Sequence, residues 1–293
     1  MQMSKQYKTS FYTIHAVSNM HAGKGDSTYG IIDKEVQRDV ISNLPTIHAS
    51  GLKGAFRELF TCQAGENEEE LKKVEFVFGT KKGSSDGKEG SQIMGNDREN
   101  QPGAYNFHNA HLLVLPVRSN HNYFYRATSP AVLGNFLNQL EHFDTTFDFT
   151  ASLEALSKLK PKEGSPIIFD GTSKVLLEAL TENATKQDWP SGVNQAAIAA
   201  LLGERIAICH EADFKGICEE LPVIARNYLE NGISRNLWYE EVVPRESRFY
   251  FALAHPANNT YFAEFMKECK QYAQIGGNAS VGYGYCKIEK LEQ

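Results

Sequence analysis

Apolar positions crowd residues 8–17 (KTSFYTIHAV), where β-branched and aromatic side chains dominate, and this predicts a first strand. The period then changes. Leu52, Ala55, Phe56 and Leu59 fall at helical spacing, so a helix is expected over about 50–62 with Ser50 as its cap. The run ENEEELKK (66–73) has helical composition but reads better as a solvated charged face. Residues 79–104 are polar, glycine-rich and almost free of apolar side chains, so a mobile polar insertion is expected there. Over 105–118 strand character returns. His111 to Leu115, apolar from Leu112 onward, are expected as a buried central strand stopped by Pro116.

Residues 123–127 predict a second strand of this kind, and Ser129-Pro130 opens a helix over 130–142. Val132, Leu133, Phe136, Leu137 and Leu140 form its apolar face. Weaker patterns follow: a short helix at 151–158, a turn at 160–166, and at 167–180 a strand, an Asp-Gly turn and a further strand or helix. Residues 181–202 are helical in character but interrupted by Pro190; 205–210 read as a strand, and 211–236 as a helix with a turn. Two strands are expected at 237–244 and 247–255, around Pro244. An amphipathic helix at 260–274 sets Phe262, Phe265, Met266, Cys269 and Tyr272 on its core side. A glycine-rich loop and a last strand end the chain. This order fits a single elaborated ferredoxin-like α+β domain over 1–293. Neither a dinucleotide-binding fingerprint nor a P-loop is present.

Composition narrows the setting. The five cysteines are scattered, odd in number and without a CxxC pair, as expected of a reduced cytoplasmic protein without a disulfide or zinc framework. No run of 18 apolar residues exists, and the N-terminus lacks an apolar signal core, so neither a membrane partner nor secretion is expected. A net charge of −6 argues mildly against nucleic acid, although a local basic surface matters more than the total.

Candidate chemistry concentrates in 21–57. Glycines 23, 25 and 30 precede Asp33, a Gln37-Arg38-Asp39 triplet follows, and the stretch closes on the helix carrying Lys53 and Arg57. Those cations are four residues apart, on one helical face. Flexible glycines, a carboxylate and two cations near a helix N-terminus suit an anion. Each feature also suits a plain polar loop before an amphipathic helix.

Four blocks, in order, make the chain resemble the RAMP superfamily of CRISPR proteins. They are His21-Ala22-Gly23-Lys24-Gly25 through Gln37-Arg38-Asp39, Leu44-Pro45 through Arg57, Phe107-His108-Asn109-Ala110 through Ser119, and Leu237 through Pro244 with Ile275-Gly276-Gly277 through Gly284. Within the superfamily, the likeness is nearest to the RNA-cleaving backbone subunit of type III-B (Cmr) effector complexes, with the type III-A (Csm) backbone subunit as the close alternative. Asn109 stands where that family usually has aspartate, so no chemistry is assigned to it.

The resemblance implies an RRM-like RAMP fold with a thumb hairpin and its base within 210–244. It implies copies of the subunit in a filament on a CRISPR RNA, with other Cmr subunits, cleaving target RNA at regular intervals with a divalent metal, Mg²⁺ or Mn²⁺. Asp33 would be the catalytic residue, as metal ligand, hydroxyl orienter or base; the alternative is a turn cap. His21 would shuttle a proton or simply pack. Glu241 would assist the chemistry or hold a strand-edge ion pair. Lys53 and Arg57 would bind guide phosphates, with backbone N–H groups of Gly276, Gly277 and Gly282. A guide-binding scaffold without cleavage and a stand-alone CRISPR-transcript processing enzyme are the competing functions.

Overall fold

The computed structural model describes residues 7–25, 30–80, 101–172, 174–178 and 180–292. In chain order, β1 (Tyr7–Ala16) leads through β2 (Thr46–Ile47) to α1 (Ala49–Ala64) and α2 (Glu68–Phe78). Then come β3 (Asn106–Phe107), β4 (Ala110–Arg118), β5 (Phe124–Thr128), α3 (Pro130–His142) and α4 (Thr150–Ser157). β6 (Ile167–Ile168), β7 (Thr185–Lys186), α5 (Gln195–Leu202), β8 (Ile206–Ile208) and α6 (Glu211–Glu219) follow. The hairpin β9 (Val223–Glu230) and β10 (Ile233–Glu241) precedes β11 (Arg248–Pro256), α7 (Tyr261–Glu268), β12 (Tyr272–Gln274) and β13 (Tyr285–Lys290).

β1, α1, β4, β11, α7 and β13 form the expected ferredoxin-like core. Their strands lie in the order β13-β1-β11-β4, all antiparallel. The sheet continues through β5, β8, β6 and β7, with β8 parallel to β5. Helices cover both faces, so the central strands are apolar on both sides. In β11, Phe249, Phe251 and Leu253 face the cluster under α1, α2 and α7, while Tyr250 and Ala252 face the one under α3, α4 and α5.

Several expectations are corrected. Residues 68–78 form a true helix: Asn67 caps it by accepting from the Glu69 and Glu70 N–H groups, and Val74, Val77 and Phe78 are buried. Pro116 does not stop β4. That strand pairs with β11 at 111–114 and with β5 at 115–118, so at Pro116 one side is unpaired and a missing N–H is tolerated. The helix expected over 260–274 ends at Glu268, because Lys270 and Gln271 take left-handed conformations (φ 53° and 63°) that let the chain re-enter the sheet as β12. Only 195–202 of 181–202 is helical. Ser50 lies inside α1 rather than capping it. The Ala49 N–H is instead bound by the Asn109 side chain at 2.8 Å. Most of the polar insertion expected at 79–104 lies outside the described residues; its ends meet, with the Thr80 N–H donating to the Gln101 carbonyl at 3.1 Å.

The aromatic cluster beneath α1 and α7 carries much of this packing. Phe60 is fully buried, stacks on Phe265 at 4.6 Å and meets Phe262 edge-on at 5.4 Å. Phe60→Ala is therefore expected to cost about 3–5 kcal/mol in denaturant unfolding. A loss below about 1 kcal/mol would show that the cluster does not hold the helices to the sheet.

Candidate functional site

β9 and β10 form a separate two-stranded sheet. Their turn is Asn231-Gly232, both at positive φ (52° and 79°), the conformation that matches the twist of a tight hairpin. Toward its tip nothing among the described residues covers the hairpin: Tyr228, Leu229, Ile233 and Leu237 are each more than half exposed. Its base is held firmly. Residues 33–36 run alongside β10. Asp33 and Lys34 both donate backbone N–H groups to the Tyr239 carbonyl, and the Glu241 N–H donates to the Lys34 carbonyl at 2.9 Å. Met20 and Val243 exchange backbone hydrogen bonds, both at 2.8 Å.

Asp33 is half-buried in this ladder. Its Oδ2 accepts the Tyr239 N–H at 2.7 Å. It is thus neither a turn cap nor a free loop carboxylate. One oxygen anchors the hairpin, and Oδ1 has no recorded protein partner among the described residues.

Glu241 is buried and fully engaged. Its Oε1 takes Arg38 Nη2 at 2.5 Å, and its Oε2 takes the Val36 N–H at 2.9 Å. The strand ion pair is therefore present, and neither oxygen is open to a substrate. His21 is also buried. Its Nδ1 lies 2.7 Å from the Glu241 carbonyl, so Nδ1 carries the proton, and its Nε2 faces Glu240 Oε1 at 3.7 Å. This ring is a keystone: both nitrogens face protein groups.

Glu240, which the sequence reading passed over, is the more connected of the two glutamates. It is 1% exposed. It binds Arg226 of β9 through Arg226 Nε, and the Asn278 amide at 2.9 Å. The Arg226 guanidinium also lies over the Tyr283 ring at 4.6 Å. Burial pushes the Glu240 carboxyl up, but the Asn278 hydrogen bond, His21 and Arg226 outweigh it and hold the group below its ordinary value. Hairpin, His21 and the C-terminal glycine loop thus meet on one carboxylate.

A groove of about 370 Å³ opens beside this network, lined by Gly23, Gln37, Gly51, Gly54, Gly276 and Gly277. Two glycines are required by close approach. A Cβ at Gly23 would lie 2.7 Å from His21 Nε2, and one at Gly276 (φ +88°) would lie 2.4 Å from the His21 carbonyl oxygen. The expected N–H donors change accordingly. Gly277 donates to the His21 carbonyl and Gly282 to the Ala279 carbonyl, both at 2.9 Å, so neither is free for a phosphate. Gly276 has no recorded acceptor among the described residues. Arg57 is drawn away, donating from Nη2 to the Gly79 carbonyl at 2.9 Å. Lys53, between the two helix glycines of the groove, makes no recorded hydrogen bond or ion pair among the described residues.

No group of three or more His, Cys, Asp or Glu side chains among the described residues is placed to hold a metal ion. Asp33 Oδ1 alone could serve a hard ion that keeps most of its water and takes other ligands from a bound phosphate chain. No helix among the described residues is long and apolar enough to cross a membrane.

Known proteins agree with this architecture. The Cmr endoribonuclease Cmr4 of Pyrococcus furiosus is 27% identical, across 98% of this chain and 96% of its own. A type III-B Cmr-beta complex bound to cognate target RNA contains a chain with TM-score 0.74 and 18% identity, covering 98% of each chain. The oligomeric Cmr4 of P. furiosus gives 0.68 at 22% identity, over 97% of this chain and 99% of that one. These last two likenesses concern the fold. The family pattern itself runs over residues 13–287, from within β1 to within β13, and the chain belongs to the RAMP superfamily.

Proposed function

We propose that the chain is the RNA-cleaving backbone subunit of a type III-B CRISPR complex. It associates with copies of itself and other Cmr subunits along a CRISPR RNA and cuts complementary target RNA beside each hairpin. Full-length kinship to a Cmr endoribonuclease supports this reading. The observation that carries it is Asp33: a carboxylate with one oxygen anchored on the hairpin base and the other without a recorded partner among the described residues, in the same ladder as the glycine groove's neighbours.

RNA can be cut by its own 2′-hydroxyl when that group is aligned with the scissile phosphate and the added charge is stabilised. Asp33 Oδ1 orients the hydroxyl, takes its proton, or holds a divalent ion. Mg²⁺ or Mn²⁺ bound there would neutralise charge developing on the phosphate. His21 and Glu241 act as positioning residues, because their polar atoms are spent on the ladder. Lys53 meets a guide phosphate at the mouth of the groove.

Asp33→Asn and Asp33→Ala separate anchoring from chemistry. Both should slow target cleavage by about 10²–10⁴-fold, the range for one positioned acid or base. The Asn amide oxygen still accepts the Tyr239 N–H, so this variant should keep full target binding, whereas Ala gives up about 1 kcal/mol of hairpin anchoring. The assay is a gel of end-labelled target beside a mobility shift. Evenly spaced products from Asp33→Asn would refute the catalytic role, and lost binding would make Asp33 purely structural.

Lys53→Ala should weaken guide association and lower the slope of log affinity against log salt by about one unit. An unchanged slope in a salt titration removes Lys53 from the RNA surface.

Because its folded value is depressed, Glu240 contributes stability that is fully present above the ordinary glutamate range, about 4.3, and lost as pH falls through the lower folded value. Glu240→Gln should flatten that acid limb of the thermal unfolding profile. Parallel profiles for variant and wild type would show that the network is not linked to folding.

A further inference from the structure

A second cleft lies apart from the glycine groove. It encloses about 730 Å³ and is lined by Asn19 and Pro244, the chain neighbours of the Met20–Val243 pair. Its walls are β4, at Leu115 and Val117, the end of α6, at Ile217, and Leu221 just beyond that helix. Pro222 and Pro244, just outside the two strands of the hairpin, close it, and Asn19 lies two residues before His21. The cleft is thus built into the joint on which the hairpin stands.

Its apolar walls carry a small, specific set of polar and aromatic groups. Tyr123, in the turn between β4 and β5, stands at the mouth 93% exposed. Asn19 Oδ1 accepts the Arg245 N–H at 3.0 Å, and its side-chain amide donor has no recorded partner among the described residues. The Arg245 side chain is 66% exposed, and its nearest carboxylate, Glu246, is 3.9 Å away. The other acids are largely occupied. Glu178 pairs with Arg118, while Glu246 takes Arg126 at 2.6 Å and His15 at 3.3 Å; Glu220, at the rim, has no recorded side-chain partner among the described residues.

We infer that this cleft receives one unstacked base of the target RNA, in contact with Tyr123, with Asn19 and Arg245 at its edges. The inference rests on the RNA-cleaving reading and extends it to a substrate subsite. An apolar cleft with a few convergent polar groups is the usual form of a small-ligand site. An exposed aromatic ring with a guanidinium and an amide is the set by which proteins hold single-stranded bases. The near balance of charge at the rim suits a neutral base better than a phosphate. In-line attack by a 2′-hydroxyl also requires a nucleotide out of the helical stack, and a cleft at the hairpin joint offers the displaced base a place.

The test uses the guide-loaded complex and a 2′-fluoro target, which lacks the attacking hydroxyl. A single 4-thiouridine is moved through the target and the complex is irradiated. Cross-links at regularly spaced positions should map to the peptide containing Tyr123. Tyr123→Ala should weaken target binding about tenfold, and Tyr123→Phe should keep it, since stacking needs the ring and not the hydroxyl. Cross-links confined to other peptides, with wild-type affinity for Tyr123→Ala, would overturn the inference. So would a Tyr123→Ala complex that falls to smaller species in sedimentation without any Tyr123 cross-link, because the cleft would then be a contact between copies of the chain. An all-ribose target in the same preparation reports separately on cleavage. Uncut target with a Tyr123 cross-link would sink the RNA-cleaving reading and leave the subsite standing. Cut target without that cross-link would do the reverse.

Discussion

Three carboxylates, those of Asp33, Glu240 and Glu241, hold the hairpin to the body, and the site depends on them. Glu241 joins β10 to the segment at 36–38 through Arg38 and the Val36 N–H, while Asp33 reaches across to the Tyr239 N–H. A two-stranded hairpin alone is only marginally stable in water. With its base tied by side-chain and backbone bonds to a loop that follows β1, this one stands clear of the sheet with exposed apolar residues toward its tip. The same bonds fix where the Asp33 carboxylate lies relative to the hairpin.

Consecutive glutamates serve two sides because strand residues alternate. Glu241 turns to Arg38 and Glu240 to Arg226, Asn278 and His21. Burying two carboxylates is costly unless each finds charge and hydrogen bonds, and both do. Removing one partner would strand a buried charge, so the network links the hairpin, the first glycine loop and the last one into one unit. The glycines of that last loop follow the same logic. Gly276 is required where the chain crosses the His21 carbonyl, and Gly277 spends its N–H on that carbonyl. They shape the groove by packing tightly rather than by offering a row of free donors.

The polar residues of α1 illustrate how helical spacing alone misleads. Lys53 and Arg57 share a face, yet Arg57 turns to Gly79 at the end of α2 while Lys53 has no recorded partner among the described residues. The position of α2, read from sequence as a solvated charged face, decides which cation remains available. Asn109 shows the converse. Assigned no chemistry from sequence, it caps α1 from the end of a neighbouring strand.

Periodicity by itself determined most of the βαββαβ core, because β1, α1, β4, β11 and α7 bury one face or two and carry their apolar residues at the matching period, with β13 as the last strand. The four blocks, taken together, pointed to the RAMP superfamily. The hairpin was legible in principle: Asn231-Gly232 marks its turn, but the strands beside it are only partly buried and lack a clear alternating stripe. What the tertiary structure alone decided is which groups are spent and which are left. Glu240 over Glu241 as the hub, the closed ring of His21, the occupied N–H group of Gly277 and the Asp33 oxygen held by Tyr239 all depend on partners some 14 to 256 positions away along the chain. Short-range pattern reports burial, but pairing across such separations is set only when the sheet closes.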